Sequence, residues 1–406
     1  MTNQYGHMPA ELASVNRLAV KGEVGHDDEV LRRLRDPPHA GALALLQPRN
    51  IPSDVESGDE LKELMPQISP SSVHPLDPAE RKLPLLLKLV LLPFLPLSLA
   101  LSVCRVVLFV LTMVFMWCLC RVATIGMPTP EGISFAPLSG ARRAWFVVAM
   151  RAIGRTLLLS AGVWPGLLRV RGEPDAAAPV WAMAPHMGMV DGFLGIYLGT
   201  PRPVILAPYA KVPLLYSLLR AANALLVPVA AARPKGGGGG EKKEAAAAAA
   251  PAAGGEAPKK RTNAVRDAIT AHKGAFKSGD VPICILPEGT CTNGRSIVKF
   301  FSGAFEGGTP VQPITIQYPF DYYNGGAFLT TLPAHLLKVF LNPWMTVDAA
   351  FLPLYSPDAA EAADGDLMAE NVRKAMGAAS AVPLSPLGAK ELREFLAQGS
   401  KEGKAT

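Results

Sequence analysis

Two residues five positions apart, His186 and Asp191, are the chain's first candidates for chemistry. Histidine is the usual proton acceptor near neutral pH, and a carboxylate on its other ring nitrogen fixes the tautomer. Of the seven histidines, only His186 has an aspartate five positions later. On an ideal helix that spacing separates side chains by about 140°. The pair therefore works only if His186 sits in a turn just before a helix that carries Asp191. Taken alone, the same residues also fit a satisfied surface histidine. A second group, Pro287-Glu288-Gly289-Thr290-Cys291-Thr292-Asn293-Gly294, crowds hydrogen-bonding side chains around two glycines. Glycine there lets backbone N–H groups approach a ligand closely, although a polar turn has the same composition. The segment Gly308-Thr309-Pro310-Val311-Gln312-Pro313-Ile314 reads as a turn feeding a strand, and Pro313 points to an edge strand or to a strand's first residues.

These groups need elements to hold them. From Leu167 onward, apolar β-rich runs alternate with helical patterns. Strands are expected at Leu168–Arg171, Val180–Ala184, Val204–Ala207, Ala224–Val229, Ile283–Leu286, Val311–Gln317 and Val347–Leu352. Helices are expected at Val190–Leu198, Pro213–Ala222, Thr262–Phe276, Ala334–Phe340 and Leu367–Met376. Such alternation predicts an α/β domain with a largely parallel sheet. Ligands collect beyond the carboxyl ends of strands in such sheets, which is where His186 and Glu288 fall.

The 406 residues are 49% hydrophobic and 18% charged, with a formal charge of +6. A mild, dispersed positive charge without aromatic interleaving argues against nucleic-acid binding. Within the apolar stretch Leu83 to Ile125, Leu89 to Cys104 and Val106 to Cys120 carry no charge, with Arg105 and Arg121 as punctuation. It predicts membrane attachment in one of two forms. One is a tilted span near Val103–Thr124 with a lead-in helix. The other is a hairpin entering and leaving one leaflet, eased by Pro93 and Pro96. Arg142, Arg143, Arg151 and Arg155 then suggest a helix with its cations toward lipid headgroups. The expected organisation is a disordered region over 1–75 with a short helix near Asp28–Arg35 and no signal peptide, and membrane-anchoring helices over 76–130. An enzymatic domain over 131–383 follows, interrupted by a flexible low-complexity insertion at 235–258, and then a C-terminal helix and tail over 384–406. Five cysteines in no metal or disulfide pattern fit a reducing compartment.

The order of the blocks resembles the glycerolipid acyltransferase family. It runs His-x4-Asp after a strand, a strand leading to Arg233, Pro-Glu-Gly-Thr at 287–290, then Val-x-Pro opening a β-run at 311–313. The resemblance covers roughly 83–396 without the insertion. Pro185, Glu-Gly-Thr-Cys-Thr-Asn-Gly at 288–294 and Gly-Thr-Pro-Val-Gln-Pro at 308–313 are most similar to the lysophosphatidylcholine and lysophosphatidylethanolamine members. The resemblance implies a glycerolipid-acyltransferase-like α/β domain behind N-terminal membrane helices. It implies acyl-CoA as co-substrate with no further cofactor and no metal, a lysophospholipid as acceptor, and residence in an intracellular membrane such as the endoplasmic reticulum. His186 would be the general base and Asp191 its orienting partner. Arg233, Glu288, Gly289, Thr290 and Pro313 would belong to the substrate-binding blocks.

Cys291 departs from the pattern, since many lysophosphatidate and glycerol-phosphate members carry arginine after Glu-Gly-Thr. A phosphodiester headgroup demands less positive charge than a phosphate monoester. The block around Gly303 is preceded by Phe300-Phe301-Ser302, with the nearest lysine at Lys299, and the Arg233 block keeps little but its arginine. Three rivals stand beside the lysophospholipid reading. They are a lysophosphatidate or glycerol-3-phosphate acyltransferase, a catalytically inactive membrane adaptor, and a thiol-dependent lipid hydrolase using Cys291.

Overall fold

The computed structural model of the chain describes residues 57–63, 75, 95–128, 133–228, 258–318, 326–327 and 332–394. Arg233, the 235–258 insertion up to its last residue, the helix expected near Asp28–Arg35 and the stretch 83–94 lie outside the described residues.

A short helix α1 (Gly58–Glu63) is followed by α2 (Leu95–Ala123) and α3 (Gly140–Ser160). The α/β part runs β1 (Leu168–Arg171), β2 (Val180–Ala184), α4 (Met189–Leu198), β3 (Arg202–Leu206), α5 (Pro213–Ala221), β4 (Leu225–Val227), α6 (Pro258–Ala275), β5 (Ile283–Ile285), β6 (Ile297–Lys299), β7 (Gln312–Gln317), α7 (Leu332–Leu341), β8 (Val347–Phe351), α8 (Ala359–Ala363), α9 (Gly365–Ser380) and β9 (Leu384–Gly388). Seven strands form one sheet in the order β1-β8-β7-β2-β5-β3-β4. All its pairs are parallel except β7 with β8. β2, β7 and β8 are buried along their whole length, as expected for strands covered on both faces.

The expected strands and helices of the α/β part are all present. Pro313 sits second in β7, between β8 and β2, so the edge-strand alternative is wrong and the first-residues alternative holds. A strand tolerates proline where its missing N–H is not needed, and the Pro313 carbonyl still accepts from Leu352 N at 2.9 Å. The segment opening the expected C-terminal helix and tail begins instead with β9, paired parallel to β6, and helix follows from residue 389. Three-residue β6 is too short to show a period, so its partner was equally invisible. Part of the region expected to be disordered is docked. Lys62 of α1 donates to the Ser356 carbonyl at 2.8 Å, and the Pro75 carbonyl accepts from Asn293 N at 2.8 Å.

α2 is one unbroken helix across the described part of the apolar region, so the hairpin turn has no place within 95–123. It is the one described helix long and apolar enough to cross a membrane. Its burial follows a stripe. Ser102, Arg105, Thr112, Met116, Cys120 and Ala123 face the domain, while Val103, Val107, Val110, Leu111, Phe115 and Val122 are exposed. Arg105 is buried and donates to the carbonyls of Ser160 at 2.9 Å, Phe340 at 3.1 Å, Asn342 at 2.5 Å and Val339 at 3.2 Å. These include carbonyls left open at the C-termini of α3 and α7, and a guanidinium with five donors can close several at once.

The arginines of α3 do not all turn to headgroups. Arg143 donates to the carbonyls of Gly199 and Thr200 at 3.1 and 2.9 Å, closing the end of α4. Arg155 donates to Val163 O at 2.9 Å, and Arg142 to Ile125 O at 3.1 Å. α3 lies so close to α4 that a Cβ on Gly154 would stand 2.5 Å from the Tyr197 backbone nitrogen. Backbone cannot swing aside as a side-chain tip can. Gly154→Ala is expected to destabilise the fold by about 1–3 kcal/mol, a typical overpacking cost. Thermal unfolding of the purified protein checks it, and an unchanged midpoint would contradict the packing.

Candidate active site

The site lies at the carboxyl ends of three neighbouring parallel strands. β2 ends at Ala184 and delivers His186, β5 ends at Ile285 and delivers Glu288, and β7 ends at Gln317 and delivers Tyr318. His186 stands in the turn before α4, which begins at Met189, so the turn condition set by the five-residue spacing is met. Gly188 makes that turn with φ of 150°, and a Cβ there would press on Ala327 and the His335 ring, each 2.9 Å away.

Asp191 is the third residue of α4, where a carboxylate reaches back to the helix's free N–H groups. Its Oδ2 accepts from Met187 N at 2.8 Å, from Gly188 N at 3.0 Å and from the His186 ring at Nδ1, 2.6 Å away. Its Oδ1 accepts from the Tyr318 hydroxyl. Four donors on one buried carboxylate offset the cost of removing its charge from water. With Nδ1 so engaged, the Nε2 atom of His186 is left for other partners and meets the sulfur of Cys291 at 3.3 Å. Burial works against a charged His186 ring, but the hydrogen bond to Asp191, with Cys291 beyond Nε2, outweighs it and holds the imidazole well above its ordinary value. Burial beside Asp191 likewise pushes the Tyr318 phenol up, which keeps it a donor.

The 288–298 loop grips the histidine's backbone from both sides. His186 N donates to Glu288 Oε2 at 2.5 Å, and His186 O accepts from Thr292 N at 2.8 Å. The other oxygen of Glu288 accepts from Val298 N at 2.9 Å. Glu288 is fully buried, and burial pushes its carboxyl up to about 7 although both backbone donors pull it down. Both oxygens of its carboxylate thus bind the protein's own backbone. Gly289 is exposed with φ of 61°, and a Cβ on it would strike the Phe301 ring at 2.3 Å. Thr290 is half-buried on the same loop. Pro313 lies inside the sheet opposite Ala182, before the end of β7.

Three residues were not singled out from the sequence. Tyr318 lies 127 positions from Asp191 and was signalled only by following directly on a strand. His335, on α7, accepts from Met189 N at 3.3 Å. Arg393 donates to the Gly289 carbonyl at 3.0 Å and brings a cation to the loop that carries Cys291.

The raised Glu288 carboxyl has a consequence for stability. A carboxyl raised in the folded state contributes stability that is fully present below its unfolded value, about 4.3, and is lost as pH rises to about 7. Glu288→Gln removes the titration and one backbone acceptor. The difference in unfolding temperature between wild type and Glu288→Gln is therefore expected to narrow from pH 4.5 to about 7. A difference that widens over this interval would contradict the assignment.

Residues 169–317 match the profile of the protein family described as Acyltransferase. The chain is 29% identical over 296 residues to the lysophosphatidylcholine acyltransferase of Drosophila melanogaster, covering 69% of this chain and 48% of the relative. It is 28% identical over 304 residues to human lysophosphatidylcholine acyltransferase 2, covering 73% and 49%. Against the mouse lysophospholipid acyltransferase LPCAT4 the figures are 28% over 293 residues, 71% and 49%. The chain thus spans about half the length of the curated relatives it matches. A crystal structure of the 1-acyl-sn-glycerophosphate acyltransferase PlsC from Thermotoga maritima aligns with a TM-score of 0.41 at 14% identity, over 68% of this chain and 93% of that one. The strands that deliver His186, Glu288 and Tyr318 all lie in or beside the stretch, residues 169–317, that matches the Acyltransferase profile.

Proposed function

We propose that the protein is an acyl-CoA-dependent O-acyltransferase that re-acylates a lysophospholipid at an intracellular membrane such as the endoplasmic reticulum. The observation that carries the reading is the imidazole of His186, with the Asp191 carboxylate 2.6 Å from Nδ1 and Nε2 on the opposite side of the ring. In this reading Nε2 takes the proton of the lysolipid hydroxyl as the oxygen attacks the thioester carbonyl. Asp191 stabilises the imidazolium that forms, and the proton leaves with the departing thiolate of CoA. The acceptor supplies the nucleophile that a protein serine supplies in a hydrolase triad. The similarity to lysophosphatidylcholine and lysophospholipid acyltransferases supports the acceptor class. Arg393 and the exposed Gly289 edge are the described groups best placed to meet a headgroup phosphate.

The membrane contact is read from α2. Its buried stripe runs from Ser102 to Ala123, so domain packs along about 32 Å of helix at 1.5 Å per residue. That is the thickness of a bilayer's hydrocarbon core. A perpendicular crossing would take α3, with its exposed Arg142 and Arg151, into hydrocarbon. We therefore read α2 as lying along one leaflet, its exposed valines, leucines and Phe115 in acyl chains, with Trp145 and Trp344 exposed nearby on the domain.

Three outcomes are expected. First, His186→Ala should lower acyl transfer from acyl-CoA to lysophosphatidylcholine by about 10²–10⁴-fold, the usual scale of general-base loss, with the protein still folded. Because the imidazole is raised, kcat/KM should climb with pH through a midpoint well above 6.5, and Asp191→Asn should move that limb to lower pH as well as slow the reaction. A limb that stays in place in Asp191→Asn would contradict the coupling.

Second, cysteines placed at Leu97 and at Ile125, in a background lacking Cys104 and Cys118, should react with an impermeant maleimide from the same side of sealed microsomes. Labelling from opposite sides would establish a span instead.

Third, Cys291 occupies the position after Glu-Gly-Thr where an arginine would suit a phosphate monoester. A monoester carries about −1.5 to −2 charges at pH 7 and a diester one. Lysophosphatidylcholine or lysophosphatidylethanolamine should therefore exceed lysophosphatidate in kcat/KM, and Cys291→Arg should shift the ratio toward lysophosphatidate. Preference of the wild type for lysophosphatidate would favour the rival acceptor.

A further inference from the structure

The sulfur of Cys291 completes an arrangement that the transfer reaction does not use. It stands 3.3 Å from His186 Nε2, the imidazole is held at Nδ1 by Asp191 at 2.6 Å, and the three atoms' order is nucleophile, base and orienting carboxylate. Nucleophile and base within hydrogen-bond reach, with the base oriented by a third group, is the signature of an activated protein nucleophile. Cys291 is held in that place from two sides. Its neighbour Thr292 donates to His186 O at 2.8 Å, and its own side chain packs against Val298 and Leu392. It remains half-buried rather than sealed. The other cysteines differ. Cys104 and Cys118 lie exposed along α2, and the Cys284 sulfur rests against Met183 Sδ at 3.1 Å. Burial pushes the thiols of Cys120 and Cys284 up to about 12.

We propose that Cys291 accepts acyl groups from acyl-CoA, so that the protein catalyses thioester exchange in the absence of any lysophospholipid. This rests on the reading of acyl-CoA as donor. His186 Nε2 takes the Cys291 proton, and the thiolate adds to the thioester carbonyl to form a new carbon–sulfur bond. The tetrahedral adduct collapses by breaking the carbon–sulfur bond to CoA, and the proton on His186 passes to the leaving thiolate. The products are an acyl thioester on Cys291 and free CoA thiol. One thioester replaces another, so no oxidant or other co-reactant is needed and the step runs in both directions. Free thiol is a few per cent ionised at pH 7 and intrinsically strongly nucleophilic, whereas an alcohol needs its base fully. In the free protein the thiol therefore stands first in line for Nε2, and a lysophospholipid hydroxyl must displace it. An acylated Cys291 would occupy the base until CoA returned, which makes the exchange sensitive to the ratio of acyl-CoA to CoA.

The test uses the full chain, purified in detergent, with oleoyl-CoA labelled in its carbonyl carbon and no acceptor. Label is expected to remain on the denatured protein, to be released by neutral hydroxylamine and to map to the peptide containing Cys291. Labelled free CoA is expected to exchange into the oleoyl-CoA pool. Cys291→Ala should lose both signals, and His186→Ala should lose exchange while keeping the thiol. Measurable transfer to lysophosphatidylcholine by Cys291→Ala would show that its loss of exchange is not misfolding. A wild type that transfers to lysophosphatidylcholine yet shows neither adduct nor exchange overturns the proposal and leaves the donor reading standing. A wild type that neither transfers nor becomes labelled overturns both.

Discussion

The buried carboxylate of Asp191 is the interaction on which the rest of the site depends. It ties the first turn of α4 to the preceding loop through Met187 N and Gly188 N, and it fixes the His186 ring at Nδ1. It also binds the end of β7 through Tyr318. One group therefore joins the β2 turn, α4 and a neighbouring strand end. A charge buried this deeply is tolerable only with such a set of donors, so the surrounding elements are constrained to supply them. The glycine at 188 follows from the same constraint, because the turn that brings two N–H groups onto one oxygen leaves no room for a Cβ.

The neighbouring strand end contributes support of a different kind. Glu288 holds no ligand-facing atom in reserve; both oxygens are bonded to backbone N–H groups of His186 and Val298. It joins the β2 turn to β6. This explains why a glutamate is useful in a place where its charge is costly: two acceptors on one planar group can pin two chains at a set separation. The Cys291 sulfur then falls opposite Nε2 because the loop between these pins has little freedom left.

The apolar helix α2 shows how one element can serve two solvents. Its domain-facing stripe includes Arg105, whose guanidinium closes carbonyls at the ends of α3 and α7. An arginine inside an apolar run would be expensive in lipid. Here it is paid for by helix-end carbonyls that would otherwise lack partners. The charge thus identifies the side of the helix that belongs to protein, and the valines and leucines between the buried positions identify the side that does not.

Much of this was legible in the amino-acid sequence. Periodicity and turn residues placed the seven strands of the main sheet, because short β-rich runs of four to seven residues between turn signals and helical patterns leave few alternatives. The His186–Asp191 spacing required a histidine in a turn before a helix, and the local geometry follows from that short-range demand. The length of α2, the pairing of β6 with β9, and the docking of residues around α1 and Pro75 were not legible, since each depends on partners far along the chain. Tyr318, His335 and Arg393 lie 104 to 146 positions from the atoms they bond. The same is true of the two discoveries that change the chemical picture most. The family resemblance placed Glu288 in a substrate-binding block, and the sequence offered Cys291 as a nucleophile only in a rival reading. Only the juxtaposition of β2 and β5 in the folded sheet turned the carboxylate inward and brought the thiol to the histidine. Local sequence determines which residues share a turn or a helix face; which strand ends meet is decided by the packing of the whole sheet.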